Sequence, residues 1–413
     1  MTLYKKHVLG NKVRLKGIRV FSQSTETLFC DMKYIFVVIV VLIVSCKDYQ
    51  KQNAGVDEFY TIHLEQSLKR EQALLVSDIA DSVEYIILET PRDIIISGIR
   101  QVVPFKEYLF VLARGYVYQF LRNGQFVRQI GLQGSGPGEY VSATKVVINS
   151  PNNEIVIGGI SQLLFYTMDG IFLRSEIFPT GEFAISDSLI WVAYSPTVWN
   201  EYQAIAFTLN RDTVSYIRNE AFGKARVSGG YLTIMSFLLT SFYFYNGSAF
   251  FKGFEDNDTI WKLSGSNAKP HAHINMGRYK LPLEYMPGTQ AYIQHGENFL
   301  GIPLFFETDD YFFFMTQNRR LYENNFLAFN KKNGIGFIIK DEKGLGITDN
   351  ILGGPHIKPL WSTEKYIISV YEGVDLLEDI ELGNFSPILA FQKQLSTVTE
   401  NTNQLIILCH KKR

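Results

Sequence analysis

His271 and His273 stand two residues apart in a stretch of strand-forming residues, a spacing that turns both imidazoles to one face, as two metal ligands would need. A metal site requires a third donor, and no Cys, His or carboxylate pattern identifies one. Both are therefore expected to be satisfied polar residues, and no cofactor is implied. Glu255-Asp256-Asn257-Asp258 has the acidic density of a calcium loop, but Ile260 stands where a ligand should be and no glycine follows in register, so it reads as a solvated turn. The run from Gly131 to Tyr140 holds enough glycine to cradle a phosphate. Pro137 removes an amide donor, however, no Gly-Lys-Ser/Thr follows, and the next segment, Thr144 to Ile148, is a strand rather than a helix. Neither a Gly-x-Ser-x-Gly elbow nor a His-Glu-x-x-His helix is present, and Ser135 has no base placed beside it. A pair of carboxylates for glycoside chemistry is defined by separation in space and stays open. Trp191, Trp199, His356 and Trp361 fall in or beside predicted loops and are candidate contacts for a sugar ring or a peptide, although most aromatics here are expected to pack a core.

The N-terminal segment carries an address. Lys33 precedes an unbroken apolar run of 11 residues, Tyr34 to Val44. A hydrocarbon core of about 30 Å needs roughly 20 residues, so the run fits the apolar region of an export signal instead. It ends in Ile43-Val44-Ser45-Cys46, which resembles the bacterial lipobox; by that resemblance Cys46 is diacylated and becomes the mature N-terminus. Residues 1–31 carry six cations before their first acid, Glu26. They read either as a long basic leader or, preferably, as an upstream segment absent from the mature protein, with translation starting at Met32. The organisation expected is thus 1–31 upstream, 32–46 signal, 47–58 flexible tether and 59–413 globular. A lipidated Cys46 cannot pair with Cys409, so no intrachain disulfide is expected, and Cys409, beside Leu405 to Leu408, reads as a core residue.

The elements that would position any site are strands. The 413 residues include 31 Phe and 23 Tyr, which favour a pleated, half-buried surface. With 40 Lys and Arg against 41 Asp and Glu, no net field exists to hold nucleic acid. Helical periodicity is scarce; Gln66–Leu75 and Leu283–Ile293 are expected as short helices. Tyr118 to Arg128 aligns with Leu164 to Arg174, each copy reading strand, Asn-Gly or Asp-Gly turn, strand. Weaker echoes make Phe120, Tyr166, Phe207, Trp261, Phe329 and Phe391 equivalent, spaced 46, 41, 54, 68 and 62 residues apart, with clean Asp-Gly turns lacking in the third and fifth units. Six such units suit an all-β, six-bladed β-propeller. The unpartnered early strands Phe59 to Leu64 and Val83 to Leu88 are expected to close its last blade against Gln404 to Cys409, since an open ring would leave bare sheet edges.

The segment Gly131-Leu132-Gln133-Gly134-Ser135-Gly136-Pro137-Gly138-Glu139-Tyr140 resembles the linker of the six-bladed propeller lipoproteins of Bacteroidetes, loosely related to NHL-repeat propellers. Leu88-Glu89-Thr90, Asp258 to Trp261 and Pro387-Ile388-Leu389 agree with that family. In this linker Gly134, Gly136 and Gly138 free the backbone, Pro137 stiffens it, and Glu139 is expected to anchor it ahead of Tyr140. The resemblance implies a cell-envelope protein held in a membrane by its lipid, periplasmic or surface-exposed. Its expected role is to bind or scaffold a glycan, a peptide or an outer-membrane protein partner, without catalysis. The alternative is a lyase or hydrolase acting on a polysaccharide or peptide at the channel mouth.

Overall fold

A computed structural model of the chain describes residues 59–412, apart from 92–93, 95, 179–181, 195–199, 221, 224–240, 254–257, 283–293, 319–320, 322 and 400–401. The signal, the tether and Cys46 lie outside the described residues, as do the expected helix Leu283–Ile293 and Glu255-Asp256-Asn257.

The turns explain the local structure. Asn123-Gly124 joins strands Tyr116–Leu121 and Phe126–Ile130, with Gly124 at φ 88°. Asp169-Gly170 joins Gln162–Thr167 and Phe172–Ile177 in the same way, with Gly170 at φ 77°. The third unit repeats this geometry without a glycine: Arg211 takes φ 70° and its amide bonds back to Thr208, as Gly124 bonds to Leu121 and Gly170 to Thr167. Four of the aligned positions also mark a shared irregularity. The ladder slips beside Phe120, Tyr166, Phe207 and Trp261, leaving Val127, Leu173, Val214 and His271 as the extra residues of four β-bulges.

These hairpins extend into six small sheets. In chain order the blades are built on Ile99–Phe105 to Phe126–Ile130, Lys145–Asn149 to Phe172–Ile177, Glu182–Ser186 to Thr213–Arg218, Phe242–Tyr245 to Asn267–Asn275, and Leu300–Glu307 to Ile335–Ile339. The sixth has Trp361–Ser362, Tyr366–Tyr371, Leu405–Lys411 and, as its outermost strand, Ala80–Ile87. The first strands of successive blades touch one another, which sets them around the axis. The protein is an all-β, six-bladed propeller, as its repeats predict.

Closure is antiparallel: Ile406 faces Ile86 and Cys409 faces Val83. Only one of the two early strands takes part. Tyr60–His63 instead adds in parallel to Asn267–Asn275 of the fourth blade, Glu71–Gln72 adds to Ile335–Ile339 of the fifth, and the chain then enters the sixth. The N-terminal stretch is therefore a strap along three consecutive blades, because Ile62, Leu64, Leu74 and Val76, all at most 1 % exposed, need the cover those blades supply. Two further expectations are corrected. The helix expected over Gln66–Leu75 shrinks to Leu64–Ser67, since Glu71–Gln72 is captured by the sheet. Phe391 lies in a helix, Leu389–Leu395, and packs on Tyr85; the ladder slip of the sixth blade falls at Lys411. Helices Gly373–Leu382 and Leu389–Leu395 form an insertion between the second and third strands of that blade. No helix among the described residues is long and apolar enough to cross a membrane. Cys409 is free and fully buried, and burial pushes its thiol up to about 12.

A chain beginning at residue 89 should fail to melt cooperatively and should aggregate through the bared edge of Leu405–Lys411, checked by calorimetry and light scattering.

Candidate functional site

Three places bring functional side chains together. The first is the linker. Leu132–Gln133 and Glu139–Tyr140 pair in parallel, and the Glu139 carboxylate accepts the Gly136 amide at 2.8 Å. Gly134 leaves no room for a side chain, because a Cβ there would lie 2.0 Å from that carboxylate. Tyr140, wholly buried, donates to the Ile130 carbonyl at 2.7 Å and accepts the Val117 amide at 3.2 Å, while Tyr166 donates to the Gly138 carbonyl at 2.9 Å. Tyr140 and Tyr166 thus fasten the linker to the first and second blades, and Glu139 holds its turn.

The second is a buried ionic cluster joining the fourth, fifth and sixth blades. Glu307 is 0 % exposed and takes hydrogen bonds from Tyr243 at 3.0 Å and Lys331 at 2.5 Å, with His271 Nε2 at 3.0 Å. His271 reaches it because it is the bulge residue of its strand, where the first three blades carry Val or Leu. Burial alone would raise the Glu307 carboxyl, but the His271 hydrogen bond and the Lys331 charge outweigh it and hold it below the usual carboxylate range. Lys331 also lies over the Tyr245 and Phe312 rings, each 4.5 Å from its ammonium. Nearby Lys411 is pushed down to about 8 by burial. His273 is half-buried on the same strand, and among the described residues no group of three His, Cys, Asp or Glu could hold a metal. The cluster is internally satisfied and acts as a clamp.

The third is a cleft of about 470 Å³ between the connection from the fifth blade to the sixth and the helical insertion, lined by Lys343, His356, Lys358, Tyr371, Asp379 and Phe385 among others. Antiparallel order puts both walls on the face of the ring that carries the blade-to-blade connections. Asp341 organises the first wall. Its carboxylate accepts Thr348 Oγ1 at 2.6 Å and the Lys343 and Gly344 amides at 2.8 and 3.1 Å, and holds His356 Nε2 at 2.8 Å. Partial burial raises this acid, but the hydrogen bonds from Thr348 and His356 outweigh it and keep it well below the carboxylate range. The second wall starts where helix Gly373–Leu382 stops. Gly383 takes φ 68° and the Asn384 amide returns to the Asp379 carbonyl, so the Asn384 side chain meets the Asp379 carboxylate at 2.6 Å. Tyr371 donates to the same carboxylate. Its hydroxyl is pushed up by burial and by that neighbouring charge. The walls meet at Gly353, where a Cβ would strike the Ser386 carbonyl at 2.1 Å. Both walls are tied to the closing strand: Tyr85 donates to Asp349 at 2.8 Å and stacks on Phe391 at 4.2 Å.

Of the candidate contacts among the described residues, His356 alone reaches this cleft. Trp191 is 0 % exposed between the third and fourth blades, Trp361 is 6 % exposed in the core between the sixth and first, and Trp199 lies outside the described residues. Asp341, Lys343, Lys358, Tyr371, Asp379 and Asn384 escaped sequence reasoning; the one signal was the density of glycine between Gly344 and Gly354.

The family described as a domain of unknown function, DUF4934, matches residues 59–410. The chain belongs to that family. The match covers the whole DUF4934 propeller from the start of its strap to the end of the closing blade. Its fold is also that of a Bacteroides fragilis protein designated as exported, with a TM-score of 0.64 and 16 % identity over 86 % of this chain and 100 % of that one. More remote likenesses are to a Bacteroides caccae protein of unknown function (TM-score 0.37, 12 % identity, 60 % of this chain and 84 % of that one) and to the extracellular domain of a hybrid two-component system from B. thetaiotaomicron (TM-score 0.37, 11 % identity, 64 % and 30 %). Curated proteins give no match.

Removing the Glu307 carboxylate strands Lys331 in the interior, so Glu307→Ala should cost about 3–5 kcal/mol, measured by urea denaturation. Lys411 titrates near 8 folded and about 10.4 unfolded. Its penalty is complete below pH 8 and fades as the pH rises toward the unfolded value. Lys411→Met should therefore stabilise the protein at pH 7, by about 1–3 kcal/mol, and abolish the gain on going to pH 9.5.

Proposed function

We propose that this chain is an exported, lipid-anchored propeller of the bacterial cell envelope that binds or scaffolds a glycan, a peptide or an outer-membrane protein partner, with the cleft beside His356 as its recognition site. The cleft carries this reading. It is preformed, most of its lining is polar, and Phe385 gives it an aromatic edge, the combination that ligand sites use to fix orientation. On the first strands of the first three blades, polar groups are engaged with one another instead: Gln101 clasps both backbone groups of Val146 at 2.9 Å, and Lys145 pairs with Glu182 at 2.6 Å. That arrangement favours an axis that fastens blades and leaves recognition to the connection face. Export and anchoring rest on the segment Lys33 to Cys46, and the balanced charge argues against nucleic acid. No cofactor enters this reading.

One observation favours the second reading, a lyase or hydrolase acting on a polysaccharide or peptide. Asp341 holds His356 through Nε2, which leaves Nδ1 without a partner among the described residues, the arrangement of an oriented base. Turnover separates the two readings.

On glycan and peptide arrays, the wild-type chain should be retained and released intact with its ligand uncut, while Phe385→Ala and His356→Ala lose retention yet still melt in one cooperative transition. Ligand cleavage that disappears in His356→Ala would favour the enzyme. In cell fractionation, Cys46→Ser should move the protein from the membrane to the soluble fraction; a variant that stays in the membrane overturns the anchor.

A further inference from the structure

The cleft's charges are unevenly committed. The acid in its lining, Asp379, is occupied by Tyr371 and Asn384, and Asp341, behind the first wall, by Thr348, His356 and two amides. Its two lysines are not. Lys343 and Lys358 are exposed at the mouth, and neither ammonium has an ion pair or hydrogen bond among the described residues. Helix Gly373–Leu382 also carries Asp375, Glu378 and Glu381, but of its acids only Asp379 lines the cleft.

The carboxylates keep their charge but their oxygens are already engaged by donors, so the ammonium groups of Lys343 and Lys358 are the charged groups left free to bond a ligand directly, and an acidic ligand suits them. The remaining lining offers donors and acceptors together, from Asn384, Asp379, His356 and the glycine backbone, and half-buried aromatic rings from Phe385 and Tyr371. Hydroxyl groups, which donate and accept at once, match such a mixed lining. An extended peptide would instead seek an open strand edge. Little of one borders the cleft: among the described residues only Tyr371 of the lining lies in a strand, paired with Leu405 on one side while the partner on the other side reaches no further than Ile368, and the other lining residues belong to loops and a helix end.

We infer that the ligand of this cleft is an acidic saccharide, a chain of sugars bearing carboxylates, with Lys343 and Lys358 receiving the carboxylate groups. The inference rests on the cleft being the recognition site. Hexagalacturonate, its fully methyl-esterified form and hexaglutamate, titrated calorimetrically into the purified chain, distinguish charge, sugar and peptide. Hexagalacturonate should bind, and the ester, which keeps the rings and loses the charge, should bind at least tenfold more weakly, as should hexaglutamate. The double variant Lys343→Met, Lys358→Met should lose at least tenfold for hexagalacturonate, and raising the salt should weaken wild-type binding. Lys340→Met, whose lysine pairs with Glu71 away from the cleft, should leave binding unchanged. Absent heat with hexagalacturonate, equal binding of the ester, tighter binding of hexaglutamate, or an unaffected double variant would each overturn the acidic-saccharide assignment. Neutral glycans retained by wild type and lost in Phe385→Ala would then leave the cleft as a recognition site for uncharged ligands; with no array retention at all, both readings fall together.

Discussion

The pairing of Ala80–Ile87 with Leu405–Lys411 is the contact on which the remainder depends. It joins the two ends of the ring in one sheet, and each of these strands contributes side chains that are almost wholly buried, Ile86 and Val83 from one and Leu405 to Cys409 from the other. The same strand carries Tyr85, whose hydroxyl holds Asp349 and whose ring lies against Phe391. Asp349 in turn accepts the amides of Ile351, Leu352 and Gly354 and so shapes the connection that forms one wall of the cleft. The closing strand and the walls of the cleft are therefore one mechanical unit.

A second constraint is charge in the interior. Glu307 brings a full carboxylate to zero exposure, a position that is costly without partners. The fold answers with donors from neighbouring blades, and it uses a bulge to deliver one of them. The device resembles the use of Glu139 in the linker, where a single carboxylate also gathers a backbone that would otherwise wander. In both cases an acid determines how two adjacent blades meet.

Much of the ring was legible in the residues. Asn123-Gly124 and Asp169-Gly170 announce hairpins because each demands a backbone conformation that glycine supplies at no cost, and the aromatic residues before those turns mark a real irregularity shared by four blades. The destination of Tyr60–His63 was not legible, since parallel pairing with a strand some 200 residues away leaves no trace in local pattern. Phe391 misled for a related reason: its neighbours imitate the end of a blade strand, while the true equivalent, Lys411, is polar. The cleft was hidden further still. His356 was visible, but Asp341, Lys343 and Asp379 are ordinary surface-type residues whose meaning arises only when the insertion folds back on the connection.

The strap gives the ring an order of failure under load. A pull on the N-terminus is borne first by Tyr60–His63 on the fourth blade, then by Glu71–Gln72 on the fifth, and only afterwards by the strand that closes the sixth. Because the first two segments are additions to sheets already complete, they can peel away and leave every blade with four strands. Under such a load they would act as a sacrificial fuse, yielding before the seam of the ring.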